Sequence, residues 1–193
     1  MKVSRKPPPQ DSGPLRGRLR PPDEAREAKS GEPRRGSKSD VGRSAPRARG
    51  AARRGREIAL QMLYQWEVGR SDIDSVLQTY WQLEAPGSAP ADEARVFAEQ
   101  LARGTAENLA VSDPLIAGEA QHWRLSRLAL LDRLILRLAV YELLHADTPS
   151  PVVINEAIEL AKKFSTEASA KFINGVLDAI RRRVEANEEA HKQ

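Results

Sequence analysis

The chain has 193 residues, a formal net charge of +4 and no cysteine. That length suffices for one domain with a proper core plus an appendage, and the missing cysteine excludes disulfides, thiolate metal sites and cysteine nucleophiles. No apolar run approaches the roughly 18–20 residues of a membrane span, and Pro7-Pro8-Pro9 stands where a signal peptide would place its apolar stretch, so a cytoplasmic protein is expected.

Charge is unevenly spread. Residues 1–56 hold 17 Lys/Arg against 6 Asp/Glu, a net of +11, whereas residues 57–193 hold 14 against 21, a net of −7. A basic arm on an acidic body points to a polyanionic partner held through clustered arginines, the alternative being a merely solubilising tail. Residues 1–50 contain eight of the 13 prolines and no aromatic residue. Such a segment buries too little apolar surface to offset its ordering entropy and is expected to be a disordered arm.

From Ala51 onward helical periodicity dominates. Ala59, Met62, Leu63 and Trp66 mark the inner face of a first helix ending near Gly69. Ser71-x-x-Asp74 reads as a capping box for a second, with the stripe Ile73, Val76, Leu77, Tyr80 and Trp81. Residues 85–90 have loop composition. A third helix is expected over 92–111, burying Val96, Phe97, Leu101 and Leu109. Asp113-Pro114 suits the cap and first position of a short fourth. Ser126 opens a fifth helix, apolar almost all round over 128–145, which belongs at the centre of a bundle. Arg133 and Arg137 mark its one wet edge, and Glu142 is a carboxylate on the apolar side that needs hydrogen bonds or an arginine. Thr148-Pro149-Ser150-Pro151 breaks the chain. A sixth helix carries Val153, Ala157, Ile158 and Ala161. Thr166 caps a seventh with the stripe Ile173, Val176, Leu177, Ile180 and Val184. The fold class is all-α: a single helical-bundle domain of about seven helices over 51–188, with a disordered basic N-terminal arm over 1–50 and a short tail over 189–193.

Signals for an enzyme are poor. His122, His145 and His191 match no metal spacing, and no base or nucleophile accompanies Glu142. Signals for nucleic acid are better. Arg53-Arg54-x-Arg56 leads into the first helix, and at about 100° per residue Tyr64 points roughly 160° from the inner stripe, on the side of Arg53. Arginines could hold phosphates while a base stacks on the ring; equally, Tyr64 and Leu60 could pack on another helix. In the seventh helix Phe172 lies about 100° off the stripe beside Lys171, either a stacking platform or the flank of a wide core. Asn174-Gly175 inside that helix implies close approach of a second helix or of a ligand backbone.

Three stretches carry a resemblance. They are Arg53-Arg54-x-Arg56-Glu57-x-Ala59-x-Gln61-x-Leu63-Tyr64-x-Trp66; Asp132-Arg133-x-Ile135-Leu136-Arg137-x-Ala139-x-Tyr141-Glu142-Leu143; and Val153-Ile154-Asn155-Glu156-Ala157 through Phe172-x-Asn174-Gly175-Val176-Leu177-Asp178. Over about 51–183 the chain resembles the NusB family of bacterial transcription antitermination factors. The resemblance implies a seven-helix all-α fold and binding of the boxA element of ribosomal RNA leader transcripts. It implies as partners the small-subunit ribosomal protein NusE and elongating RNA polymerase with other Nus factors. No catalysis, metal or cofactor is implied, and some members are thought to form homodimers. The RNA-binding residues it implies are Arg53, Arg54, Arg56, Tyr64, Asp132, Lys171 and Phe172. Asp132 would then accept from a base amino group rather than hold a phosphate. The long arm departs from the family's short N-terminus, and Ala168 stands where some relatives carry an acidic residue. A protein-interaction scaffold in ribosomal RNA processing or ribosome assembly is the alternative reading. RNA cytosine methyltransferases, to which such domains are sometimes fused, need a cysteine this chain lacks.

Overall fold

Helix α5 (Leu130–His145) organises the bundle in this computed structural model, which describes residues 41–83, 90–120 and 125–191. Its side chains from Leu134 to Val140 are all buried, and it packs against helices before and after it in the chain. Around it lie α1 (Val41–Gly69), α2 (Ile73–Gln82), α3 (Asp92–Glu107), α4 (Leu109–Glu119), α6 (Ser150–Phe164) and α7 (Glu167–His191), with a single 3-10 turn at Leu125–Arg127. The described residues therefore form seven α-helices and no strand. The most extensive pairings are α1 with α3 and α6 with α7. None of the described helices is long and apolar enough to cross a membrane.

The stripes of α1, α2, α6 and α7 face the core as their periodicity requires, with Met62, Leu63, Val76, Leu77, Val153, Ile173 and Leu177 buried. Thr166 does cap α7: its hydroxyl accepts from the Ser169 amide at 3.0 Å. Helix α1 closes on Arg70, whose φ of 49° is the left-handed conformation common after a helix end.

Several boundaries differ from expectation. Helix α1 begins at Val41 rather than Ala51, because residues 47–54 are mostly arginine and alanine, strong helix formers; the rest of the expected arm, 1–40, lies outside the described residues. So do residues 84–89 of the expected loop and His122. The cap of α2 is Asp72, not Ser71; it accepts from the Ser75 amide at 2.8 Å. The expected third helix is two, divided at Asn108, whose side-chain amide donates to the Gly104 carbonyl at 2.8 Å. Asp113 and Pro114 fall inside α4 instead of starting it. Helix α5 starts at Leu130, after the 3-10 turn, and α7 continues to His191, past the boundary expected at 188.

On α3 the inner face matches the expected one only in part: Leu101 is buried and Phe97 packs on the core. Val96 is exposed, Phe97 and Leu109 are half-buried, and the buried positions include Ala94, Ala98, Leu101 and Ala102. Small residues bring α3 close to α1: a Cβ at Gly55 would stand 2.9 Å from the Phe97 ring and 3.0 Å from the Ala94 carbonyl.

Candidate nucleic-acid interface

Along the outer side of α1, Arg53, Glu57 and Tyr64 fall on one face, and opposite them run the acidic and basic side chains of α6. Arg53 is exposed and donates from Nη2 to Glu159 Oε2 at 3.2 Å. Lys163 Nζ reaches Glu57 Oε1 at 2.7 Å, and Arg54 Nη1 lies 3.4 Å from the other oxygen of the same carboxylate. Lys162 also donates to Glu159, at 3.1 Å. The Lys162 hydrogen bond and charge, then the Arg53 hydrogen bond, hold the Glu159 carboxyl below its ordinary range. Tyr64 projects beyond this row with 44% of its surface exposed.

Arg56 does not join that face. It is 5% exposed, donates from Nε to Glu142 Oε2 at 2.9 Å and from Nη2 to Oε1, and stands 5.3 Å from the Phe97 ring centroid. This guanidinium is held inside the bundle by a carboxylate and a ring, apart from the exposed Arg53. The pairing answers the question posed by Glu142, whose partner is this arginine.

Asp132 is likewise committed. It is 8% exposed, and its two oxygens accept from the hydroxyls of Ser165 at 2.7 Å and Ser169 at 2.8 Å. The carboxylate ties the first turn of α5 to the junction of α6 and α7. Beyond the junction Lys171 is exposed and Phe172 half-buried, partly packed on the core. Gly175 has nothing within 4 Å of an added Cβ; no neighbouring helix explains it, contrary to one of the two expected reasons. Arg133 and Arg137 are not a wet edge either: Arg133 pairs with Glu67 at 2.9 Å, and Arg137 with Asp113 at 2.7 Å and Glu67 at 3.2 Å.

An open groove of about 530 Å³ lies among α1, Tyr80 and Leu83 at the end of α2, Leu131 of α5 and Phe164 at the end of α6. Its walls include Leu60, Tyr64, Leu131 and Phe164, with Gln61 and Gln65 among its polar groups. Lys163 Nζ sits 5.2 Å from the centroid of the Phe164 ring. Sequence reasoning did not single out Lys163 or Phe164, although Lys163-Phe164 repeats the dipeptide Lys171-Phe172. Among the described residues no cluster of three or more histidine, cysteine, aspartate or glutamate side chains is placed to hold a metal ion.

Comparison with known proteins gives a consistent result. The NusB family model matches residues 53–182. The transcription antitermination protein NusB of Solibacter usitatus (strain Ellin6076) is 46% identical over 130 residues, covering 67% of this chain and 88% of the relative. Its counterpart from Anaeromyxobacter dehalogenans (strain 2CP-1) is 47% identical over 127 residues, covering 66% and 87%. Among solved structures, T. maritima NusB aligns at 41% identity with a TM-score of 0.61, covering 68% of this chain and 90% of that one. A structure of the antitermination factors NusB and NusE in complex with dsRNA aligns at 25% identity and a TM-score of 0.61, covering 69% and 97%.

Proposed function

This chain belongs to the NusB family, and we propose that it is an RNA-binding transcription antitermination factor. It binds the boxA element of ribosomal RNA leader transcripts together with the ribosomal protein NusE, and acts on elongating RNA polymerase. The observation that carries this reading is the alignment with a NusB solved together with NusE and RNA, which extends over nearly all of that chain. The protein is not an enzyme, needs no cofactor and works in the cytoplasm, where transcripts are made.

The RNA face runs from Arg53 and Arg54 past Tyr64 to Lys171 and Phe172. Exposed cations beside aromatic rings suit a single strand whose phosphates are neutralised while bases stack. Arg56 and Asp132 support this face from beneath through their buried partners.

Titration of labelled boxA RNA against a scrambled control tests the reading, with and without NusE and at two salt concentrations. Selective binding that tightens with NusE is expected. Equal binding of both RNAs, abolished by salt, would mean nonspecific polyanion attraction. A scaffold acting in ribosomal RNA processing is the second reading, favoured by the carboxylate partners that Arg53 and Arg54 would have to give up. In that case NusE binds and RNA selectivity is absent.

A further inference from the structure

The groove beside Tyr64 holds more chemistry than a single stacking ring. Tyr64, Phe164, Leu60 and Leu131 give it aromatic and aliphatic walls, and its volume of about 530 Å³ admits a planar heterocycle. On α1, Gln61 contributes an amide whose oxygen accepts the Tyr80 hydroxyl. A side-chain amide with its oxygen so occupied presents its NH₂ as a donor. Gln65, one helical turn on and exposed, adds a second amide. At the end of α6, Lys163 stands by the Phe164 ring with half of its side chain in solvent.

We propose that this groove is a nucleobase subsite, taking one unstacked base of a single-stranded RNA that presents a carbonyl oxygen to Gln61, with Lys163 holding the adjoining phosphate. The inference rests on the RNA-binding reading and deepens it. A base needs a flat apolar slot for its faces and fixed polar groups for its edge, and both are present within two turns of α1. A phosphate needs a cation that can leave its present partner. Lys163 meets that condition: its side chain is half in solvent, and the largely buried Glu57 carboxylate keeps Arg54, 3.4 Å away, when the lysine turns to a phosphate. A protein side chain is the competing occupant. The two amides and the lysine, set in line with the Arg53–Glu159 pair one turn earlier on α6, favour a nucleotide.

The test uses the full-length protein and boxA RNA in which each base in turn is replaced by an abasic site. For the unmodified protein one position should stand out, with affinity falling by about 5- to 150-fold, as expected for one lost base–aromatic stack. In Phe164→Leu that penalty should shrink while penalties elsewhere persist. Tyr80→Phe, which frees the Gln61 amide to turn over, should blunt the preference for a carbonyl-bearing base at the same position. Lys163→Gln, which leaves Arg54 on the Glu57 carboxylate and can still donate a hydrogen bond to it, should weaken binding and lower the salt dependence while the protein remains folded. That variant keeps the test decisive if either ring substitution disturbs folding. Identical abasic penalties in Phe164→Leu and the unmodified protein, with boxA still bound, would overturn the subsite and leave the RNA reading standing. Variants that lose NusE and keep every RNA contact would overturn it in favour of a protein site. If the unmodified protein ignores boxA altogether, subsite and RNA reading fall together.

Discussion

Glu142 of α5 and Arg56 of α1 meet as a bidentate ion pair inside the bundle, their side chains 2% and 6% exposed. The pair locks the arginine-bearing end of α1 onto the central helix. Removing Glu142 leaves a buried guanidinium with only the more distant Glu156 carboxylate, 3.9 Å away, to answer it. Glu142→Ala is therefore expected to lose about 3–5 kcal/mol of stability, read from urea denaturation, while Glu142→Leu combined with Arg56→Met recovers much of the loss. Arg56→Ala should lose RNA binding only through unfolding. An Arg56→Ala protein that melts normally and fails to bind RNA would put Arg56 back on the interface.

Glu159 occupies Arg53 in the absence of RNA. Glu159→Gln should release that cation, raise RNA affinity several-fold and steepen the salt dependence by about 0.7 in log–log slope. The carboxyl is held below its ordinary range, so the pairing is complete above the unfolded value and is lost as pH falls through the lowered one. Between about pH 6 and 8 this group stays ionised, and RNA affinity should show no dependence on it. A titration showing unchanged or weaker binding for Glu159→Gln would mean that the carboxylate positions Arg53 instead of competing for it.

Gly104 and Gly175 should respond in opposite directions to alanine. A Cβ at Gly104 would fall 1.9 Å from Cζ of the Tyr141 ring, on the contact between α3 and α5. Gly104→Ala should destabilise by about 1–3 kcal/mol or more. Gly175 lies in open space within a helix, so Gly175→Ala should stabilise by roughly 0.5–1 kcal/mol. Thermal melting decides both. If Gly175→Ala melts higher yet binds RNA less well, the RNA backbone passes directly over that turn.

Asp132→Ala should cost about 1–3 kcal/mol, because the hydroxyls of Ser165 and Ser169 lose a buried acceptor. Ser169→Ala should be strongly non-additive with it in a double-mutant cycle. Both should weaken RNA binding alike, through movement of the α6–α7 junction. Loss of RNA in Asp132→Ala alone would instead indicate a direct base contact.

Large apolar stripes made α2, α5, α6 and α7 legible, since leucine, isoleucine and valine at helical spacing leave few other folds. The α1–α3 contact was hidden because it is built from Gly55, Ala94 and Ala98, residues too small to register as a stripe. The break at Asn108 was hidden because no proline or glycine marks it, while Pro114 drew attention to a place where α4 simply continues. Side chains were hardest where their partners lie far along the chain. Arg56 and Glu142 are 86 positions apart, and Asp132 and Ser169 are 37 apart. A residue-by-residue reading sees an exposed-looking arginine and a helix-start carboxylate; only the fold shows that each is already taken. Tyr64 was legible because its angle on the wheel depends on α1 alone.

Residues 47–50 of α1 are exposed, unlike residues 55–60, which are all buried. Arg47 and Arg49 carry charge there, and a Cβ added at Gly50 would meet no other part of the molecule within 4 Å. Amide protons there are guarded only by local helix formation, which in a short unsupported stretch is marginal. They should exchange with deuterated solvent orders of magnitude faster than those around Met62 and Leu63. That contrast makes the stretch a built-in reporter. If phosphates engage Arg47 and Arg49, exchange will slow first in these turns, at RNA concentrations too low to alter protection anywhere else.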